Sequence, residues 1–221
     1  MSVTIELVGE IAVIELDDGG KNVINHELLE LMEAAWDKAE AEAKAIVLKG
    51  RDGCFCAGFD LKVLNSGDAE AFNALGARGG RMARRIYDCS VPVVGVTEGH
   101  AMTIGLVWLA GCDLRIAEEG RFKFGMTEVA LGVALPGWAV EPLRTRLQPG
   151  YLEPALLHSA TYDPNGALAA GFIDRVAPTG EALDAAMSAA AELSKLAGPA
   201  YRRTKRALRQ PVLAQLAEHF G

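Results

Sequence analysis

Basic residues are in deficit: 22 lysines and arginines stand against 29 aspartates and glutamates, a formal net charge of −7. A broad nucleic-acid surface needs clustered cations, so this balance argues against that class of partner. Cysteine is also scarce. Of the four, Cys54 and Cys56 lie too close for a CxxC redox pair, and neither Cys89 nor Cys112 joins a histidine in a zinc-ligand spacing. Reduced thiols and no metal site are the expectation. Long apolar runs are missing too: the segment Leu106 to Ala110 is far too short to span a membrane. The start, Met1-Ser2-Val3-Thr4-Ile5-Glu6, has neither the basic n-region nor the apolar h-region of a secretory signal. A soluble, cytoplasmic protein without a membrane partner is expected.

What is present is a packed globule. Half of the 221 residues are apolar, enough for one substantial core with nothing forcing a second independent domain. Val3 to Leu7 and Ile11 to Leu16 read as strands turning at Gly9-Glu10. Asn25 and His26 precede a helical pattern from about Glu27 to Ala43, with Leu28, Leu31, Met32, Ala35 and Trp36 on one stripe. Ala45 to Leu48 and Pro92 to Val96 read as buried strands, with an amphipathic helix from Ala69 to Asp88 between them. Asp113 to Ala117 is strand-like, and Arg121-Phe122-Lys123-Phe124 alternates as a strand does. From Pro136 onward helical patterns dominate, with breaks near Gly150, Asp163-Pro164-Asn165-Gly166 and Gly198-Pro199. Short apolar strands alternating with helices predict an α/β fold with crossover connections.

Three segments carry chemistry. The first is Phe55-Cys56-Ala57-Gly58-Phe59-Asp60-Leu61, whose glycine lets a backbone N–H come close to a ligand. The second, Gly99 to Gly105, feeds directly into an apolar helix at about Ile104-Gly105, where unpartnered N–H groups carry the positive dipole end. The third holds a carboxylic acid, Glu128, in Phe124-Gly125-Met126-Thr127-Glu128-Val129-Ala130-Leu131-Gly132. Two N–H groups aimed at one oxygen, with a base beside them, suit the stabilisation of an enolate. Each loop alone reads more readily as a structural turn; their joint order with Glu128 is the signal. His100 reads as a hydrogen-bonded loop histidine, Asp113 as a residue ordering a loop–strand junction, and Glu141 as a second acid only if its helix turns it inward. The basic run Arg202-Arg203-Thr204-Lys205-Arg206, followed by Arg209, is either a solvated helix face or a site for a phosphorylated ligand.

These segments resemble the crotonase superfamily, the enoyl-CoA hydratases and isomerases, along nearly the whole chain. FCAGFDLK is similar to the family's F-x-A-G-x-D-[LI]-K run, and GHAMTIGLVWLAGCDLRIA to its G-x-A-x-G-G-x-x-x-x-L-x-x-D-x-R-I-A run. FGMTEVALGVALPGW resembles F-x-x-P-E-x-x-x-G-x-x-P, and YRRTKRAL the lysine-bearing helix near the family's C-terminus. The resemblance implies an α/β, crotonase-like (ClpP/crotonase) spiral of ββα units over residues 1–195 with its helical layer. Residues 196–221 would form a short C-terminal helical tail of the same structural unit. It implies an acyl-CoA thioester as substrate, coenzyme A entering as part of that substrate, no permanently bound cofactor, and a homo-oligomer, trimer or hexamer.

Carried over position by position, the resemblance makes the N–H groups of Phe59 and Ile104 the oxyanion hole and Glu128 the acid/base group. Cys56, Ala57, Gly58, Asp60, Leu61, Lys62 and Gly105 would contact substrate or coenzyme A, and Lys205 would approach its phosphates. Family hydratases use two glutamates, one matching Glu128 and one three residues after the oxyanion-hole position. This chain has Val107 there. A single glutamate suffices for moving a double bond from the 3,4 to the 2,3 position, because it can take a proton from C2 and return one to C4. Glu128 through Gly132 to Pro136-Gly137-Trp138 is similar to the mitochondrial-type Δ3,Δ2-enoyl-CoA isomerase. Val129, Leu131, Val133 and Leu135 would supply the apolar pocket that raises the pKa of Glu128. Two readings stand beside the isomerase: a hydratase adding water to a 2-trans-enoyl-CoA, and a catalytically degenerate acyl-CoA binder. The second is prompted by Ile104, where the family usually has glycine and where a side chain would crowd the thioester. It is prompted equally by a chain that stops at Gly221, while relatives are expected to run well past the lysine helix.

Overall fold

The computed structural model describes residues 2–220. Its opening hairpin pairs Ser2–Val8 (β1) with Ile11–Asp17 (β2), Val8 opposite Ile11, and Gly9 takes the left-handed turn conformation. Period-two alternation places Ala12, Ile14 and Leu16 of β2 in the core. After Val23–Ile24 (β3), helix His26–Glu42 (α1) starts at an Asn25 cap whose side chain accepts from Leu28 N–H at 2.9 Å. Its buried stripe is Leu28, Leu29, Met32, Ala35, Trp36 and Ala39. Leu31, expected on that stripe, is exposed, because Leu29 rather than Leu31 lies on the inward arc set by Leu28 and Met32.

The chain then repeats one unit. Ala45–Gly50 (β4), Gly53–Cys56 (β5) and Gly58–Phe59 (β6) lead through the short helix Leu61–Asn65 (α2) to Ala69–Tyr87 (α3). Val93–Thr97 (β7) and Gly99–Met102 (β8) lead to Ile104–Gly111 (α4), and Leu114–Glu118 (β9) and Phe124–Gly125 (β10) to Gly137–Arg144 (α5). Leu152–Leu156 (α6), Thr161–Tyr162 (β11), Pro164–Ala170 (α7), Arg175–Ala177 (β12), Ala182–Ser194 (α8) and Pro199–Phe220 (α9) complete the described chain. The first strand of each unit joins a six-stranded sheet ordered β1-β2-β4-β7-β9-β12; the second joins a four-stranded sheet ordered β11-β10-β8-β5. Parallel stacking of successive units, β4 on β7 on β9 and β5 on β8 on β10, makes the spiral of ββα turns.

Strand β4 is buried on both faces, which explains its uninterrupted apolar run. Ile46 and Leu48 face the main core with α1 and α4; Ala45 and Val47 face Ala182, Ala186 and Ala190 of α8. Three regions differ from the sequence expectation. Gly99 to Met102 is a strand and not a loop, and of Arg121 to Phe124 only Phe124 pairs, as the first residue of β10. The region after Pro136 contains two further strands, β11 and β12. Helix α9 docks through Val212 and Leu216, which belong to the same core as the spiral.

Candidate active site

Phe59 and Ile104 reach one cavity from two successive units. Strand β6 lies parallel to β3 with Phe59 opposite Ile24. In a parallel ladder alternate residues bond the neighbour, and Asp60 N–H donates to Ile24 O at 3.0 Å. The Phe59 N–H therefore points to the opposite side of the strand. Ile104 is the first residue of α4, so its N–H has no intrahelical acceptor and sits at the positive end of the helix dipole. Both residues line a cavity of about 340 Å³ together with Glu128, which precedes a short 3-10 turn at Val129–Leu131. Most of the remaining wall is apolar, with Phe72 of α3, Val107 of α4, Val133 and Leu135 of the following loop, Trp138 of α5 and Phe220 of α9.

Glu128 is the one carboxylate among the described residues lining this cavity; Asn73 and His219 are its other polar side chains. The Glu128 Oε2 atom is buried and makes no hydrogen bond. Desolvation by the apolar wall pushes its pKa up from the ordinary value of 4.5 to about 7. Val133 and Leu135 contribute to that wall as expected, whereas Val129 and Leu131 do not: the 3-10 turn carries them outward, 42% and 55% exposed. A base must be ionised to accept a proton, so kcat/KM is expected to rise with pH along an acid limb whose midpoint lies at about 7. A pH–rate profile of the free enzyme checks this, and a midpoint in the ordinary carboxylate range would contradict it.

A glycine pair in α3, Gly79-Gly80, makes room for the wall. A Cβ on Gly79 would lie 2.8 Å from Phe59 Cε1 and 3.8 Å from Ile104 Cδ1. A Cβ on Gly80 would lie 2.6 Å from Phe220 Cζ and 2.8 Å from Trp138 Cδ2. Each glycine costs a helix roughly 1 kcal/mol relative to alanine, and here it lets four large side chains pack against α3. Ile104 thus has somewhere to go: its side chain turns toward Gly79 and is 1% exposed. The sequence signal for this wall was the glycine pair inside an amphipathic helix, which the motif comparison did not use. Trp138 was part of the Pro136-Gly137-Trp138 resemblance, whereas Phe72 and Phe220 carried no signal, because nothing local places them together.

The other expected contacts divide in two. Asp60 caps α2, accepting from Lys62 N–H at 2.8 Å, and Leu61 and Lys62 are exposed beside it. The Ala57 N–H donates to Lys21 O. Cys56 and Gly105 face each other instead of a ligand. A Cβ on Gly105 would meet Cys56 Cβ at 2.7 Å, and burial raises the Cys56 thiol to about 12, so it stays neutral. They join the two loops. Lys205 is a correction: it is buried, its Nζ donating to Asp113 Oδ2 at 2.7 Å and to Val91 O at 3.3 Å, and it does not line the cavity. A lysine spent on an internal ion pair is neither a phosphate ligand nor a solvated face. His100 is hydrogen-bonded as expected, its Nδ1 accepting from Lys123 N–H at 2.9 Å, but it sits on strand β8 and not in a loop. Glu141 pairs with Arg144 and stays outside the cavity. Among the described residues no group of three or more His, Cys, Asp or Glu side chains could hold a metal, and no helix is long and apolar enough to cross a membrane.

The family profile described as enoyl-CoA hydratase/isomerase matches residues 6–220. The chain belongs to this family. It is 33% identical over 190 residues to the probable enoyl-CoA hydratase EchA6 of Mycobacterium tuberculosis, covering 85% of this chain and 74% of that one. It is 25% identical over 210 residues to human mitochondrial enoyl-CoA delta isomerase 1, covering 93% and 70%. Two structures of EchA3 from M. tuberculosis superpose with TM-scores of 0.94 and 0.93 at 31% and 30% identity, each over 99% of this chain. One is described as a probable enoyl-CoA hydratase and the other as an enoyl-CoA isomerase. The superpositions cover 92% and 95% of the two EchA3 chains. The fold is the crotonase spiral, and the activity is that of an enzyme of the hydratase/isomerase family.

Proposed function

We propose that this family member is an enoyl-CoA isomerase, converting a 3-enoyl-CoA to a 2-trans-enoyl-CoA through a dienolate. One observation carries the reading: among the described residues the cavity holds a single carboxylate, Glu128, and it offers the valine side chain of Val107 where a second acid would be needed to activate water. Ionised Glu128 removes a proton from C2, and the electron pair spreads through the 3,4 double bond and the carbonyl to the thioester oxygen. The N–H groups of Phe59 and Ile104 receive that charge; donors of this kind are each worth roughly two to three orders of magnitude in rate. Protonated Glu128 then returns the proton to C4, and no water or cofactor is consumed. Coenzyme A enters with the substrate, along the Ala57–Lys62 segment. The reading includes a cytoplasmic homo-oligomer, a trimer or hexamer, without nucleic-acid or membrane partners.

Incubation with 3-hexenoyl-CoA and, separately, crotonyl-CoA in D₂O tests it, with products read by mass spectrometry. Conversion of the first to 2-hexenoyl-CoA without hydration of the second is expected. Hydration of crotonyl-CoA to the 3-hydroxyacyl-CoA would overturn the isomerase in favour of a hydratase, and no reaction and no deuterium in either would leave an acyl-CoA binder.

A further inference from the structure

Thr103 stands between the two oxyanion donors in a conformation that threonine rarely adopts. Its dihedrals are φ 50° and ψ −122°, in the positive-φ half of the map where a β-branched residue is under strain. It precedes α4 at the cap position, where a threonine hydroxyl ordinarily accepts from a first-turn N–H, yet it makes no such bond. The Oγ1 atom is instead buried without any hydrogen-bond partner. It is turned onto Gly58, where it is the first atom a Cβ would strike; Gly58 itself has φ +110°. The peptide groups on both sides are held: Thr103 N–H donates to Gly125 O at 2.9 Å, and Thr103 O accepts from Leu106 N–H at 2.9 Å. The surrounding strands and helix therefore enforce the strain.

We infer that Thr103 is a positioning residue for the oxyanion hole, its hydroxyl oxygen setting the separation between Gly58-Phe59 and the start of α4. Residues 58 and 103 immediately precede the two donors, so a shift at their contact moves the Phe59 and Ile104 N–H groups relative to each other. Loss of alignment at such donors affects the transition state more than ground-state binding. The strain is thus retained for geometry at the expense of stability, the trade-off seen where activity depends on a destabilised site.

This inference rests on reading Phe59 and Ile104 as the oxyanion donors. The test is solvent-deuterium exchange at C2 of 3-hexenoyl-CoA, which reports enolate formation whichever product follows, together with KM and the melting temperature. In T103G, free of strain and lacking the hydroxyl, exchange is expected to fall by at least tenfold while KM changes little and the melting temperature holds or rises. T103V, which puts a larger methyl where the oxygen sits, is expected to lose activity likewise, and T103S to retain most of it. Unchanged exchange in T103G and T103V overturns the inference, as does a loss matched by a fall in melting temperature. A loss in T103S equal to that in T103G assigns the effect to the methyl and overturns the role of the hydroxyl. Neither conversion nor exchange in the unmodified protein overturns the oxyanion reading and this inference together.

Discussion

Replacing Glu128 with glutamine is expected to lower turnover by about three orders of magnitude, at the upper part of the range for general acid–base groups, and to leave acyl-CoA affinity nearly unchanged. The amide keeps the shape of the side chain and cannot accept a proton at C2, so the loss belongs in kcat and not in ground-state binding. No other carboxylate among the described residues lines the cavity to substitute for it. The same variant should be more stable at neutral and alkaline pH. Glu128 has its folded-state pKa raised from 4.5 to about 7, so the native state holds this proton longer than the unfolded chain does. Native stability therefore falls as pH rises between those two values, and the cost of ionising a buried carboxylate persists above the upper one. At about 1.4 kcal/mol per pKa unit the full cost is roughly 3.5 kcal/mol. Denaturant midpoints should thus favour E128Q over the native sequence at pH 8 and differ little at pH 4. An active E128Q would remove Glu128 from the chemistry, and a variant less stable at pH 8 would contradict its unpartnered burial.

Much of this fold was legible because local signals agreed with tertiary demands. Strands β4 and β7 are short and open on apolar runs, Ala45 to Leu48 and Val93 to Val96, and α1 has a capping asparagine with a clear 3.6-residue stripe. The hairpin of β1 and β2 announces itself by Gly9. The two-residue strands β3, β6, β10 and β11 were not legible, since two residues carry no periodicity and each exists only because a neighbouring turn of the spiral lies beside it. The site divides the same way. Phe59, Ile104 and Glu128 come together where the motif spacing put them, because each sits at the end of a regular element. Trp138 and Phe220 meet across α3 with ring centroids 6.3 Å apart, a contact that depends on Gly80 and on where α9 ends up. The basic run of α9 is the expected solvated face at Arg202, Arg203 and Arg206, and departs from it only at its buried cations. Lys205 and Arg209 are four residues apart and so share one helix face, but the aspartate that this face meets lies far back in the chain.

That aspartate, Asp113, is where the largest loss of stability is expected. Its Oδ2 accepts from Lys205 Nζ at 2.7 Å and from the Val93 N–H at 2.8 Å, and its Oδ1 from Arg209 Nη2 at 2.9 Å. Arg209 also donates to the Tyr87 and Gly111 carbonyls and lies 4.4 Å from the centroid of the Tyr87 ring. One carboxylate thus ties α9 and the start of β7 to the loop after α4. Lys205 and Arg209 retain only 6% and 10% of their side-chain exposure, so neither cation can recover its hydration without local unfolding. D113N preserves volume and an acceptor for Val93 while removing the charge, which leaves two buried cations facing a neutral amide. A loss of about 3–5 kcal/mol is expected, the range for breaking a buried ion pair from one side. The exposed pair Lys44–Glu10, at 57% and 62%, is the control: E10Q should cost less than about 1 kcal/mol. If the cost lies in stranded charge, neutralising a cation as well must restore part of the stability, so D113N combined with K205M should be more stable than D113N alone. Chemical denaturation of the four variants decides it. A D113N loss no greater than that of E10Q, or a double variant worse than the single by the full cost of K205M, would mean that the ion pair does not hold α9 in place.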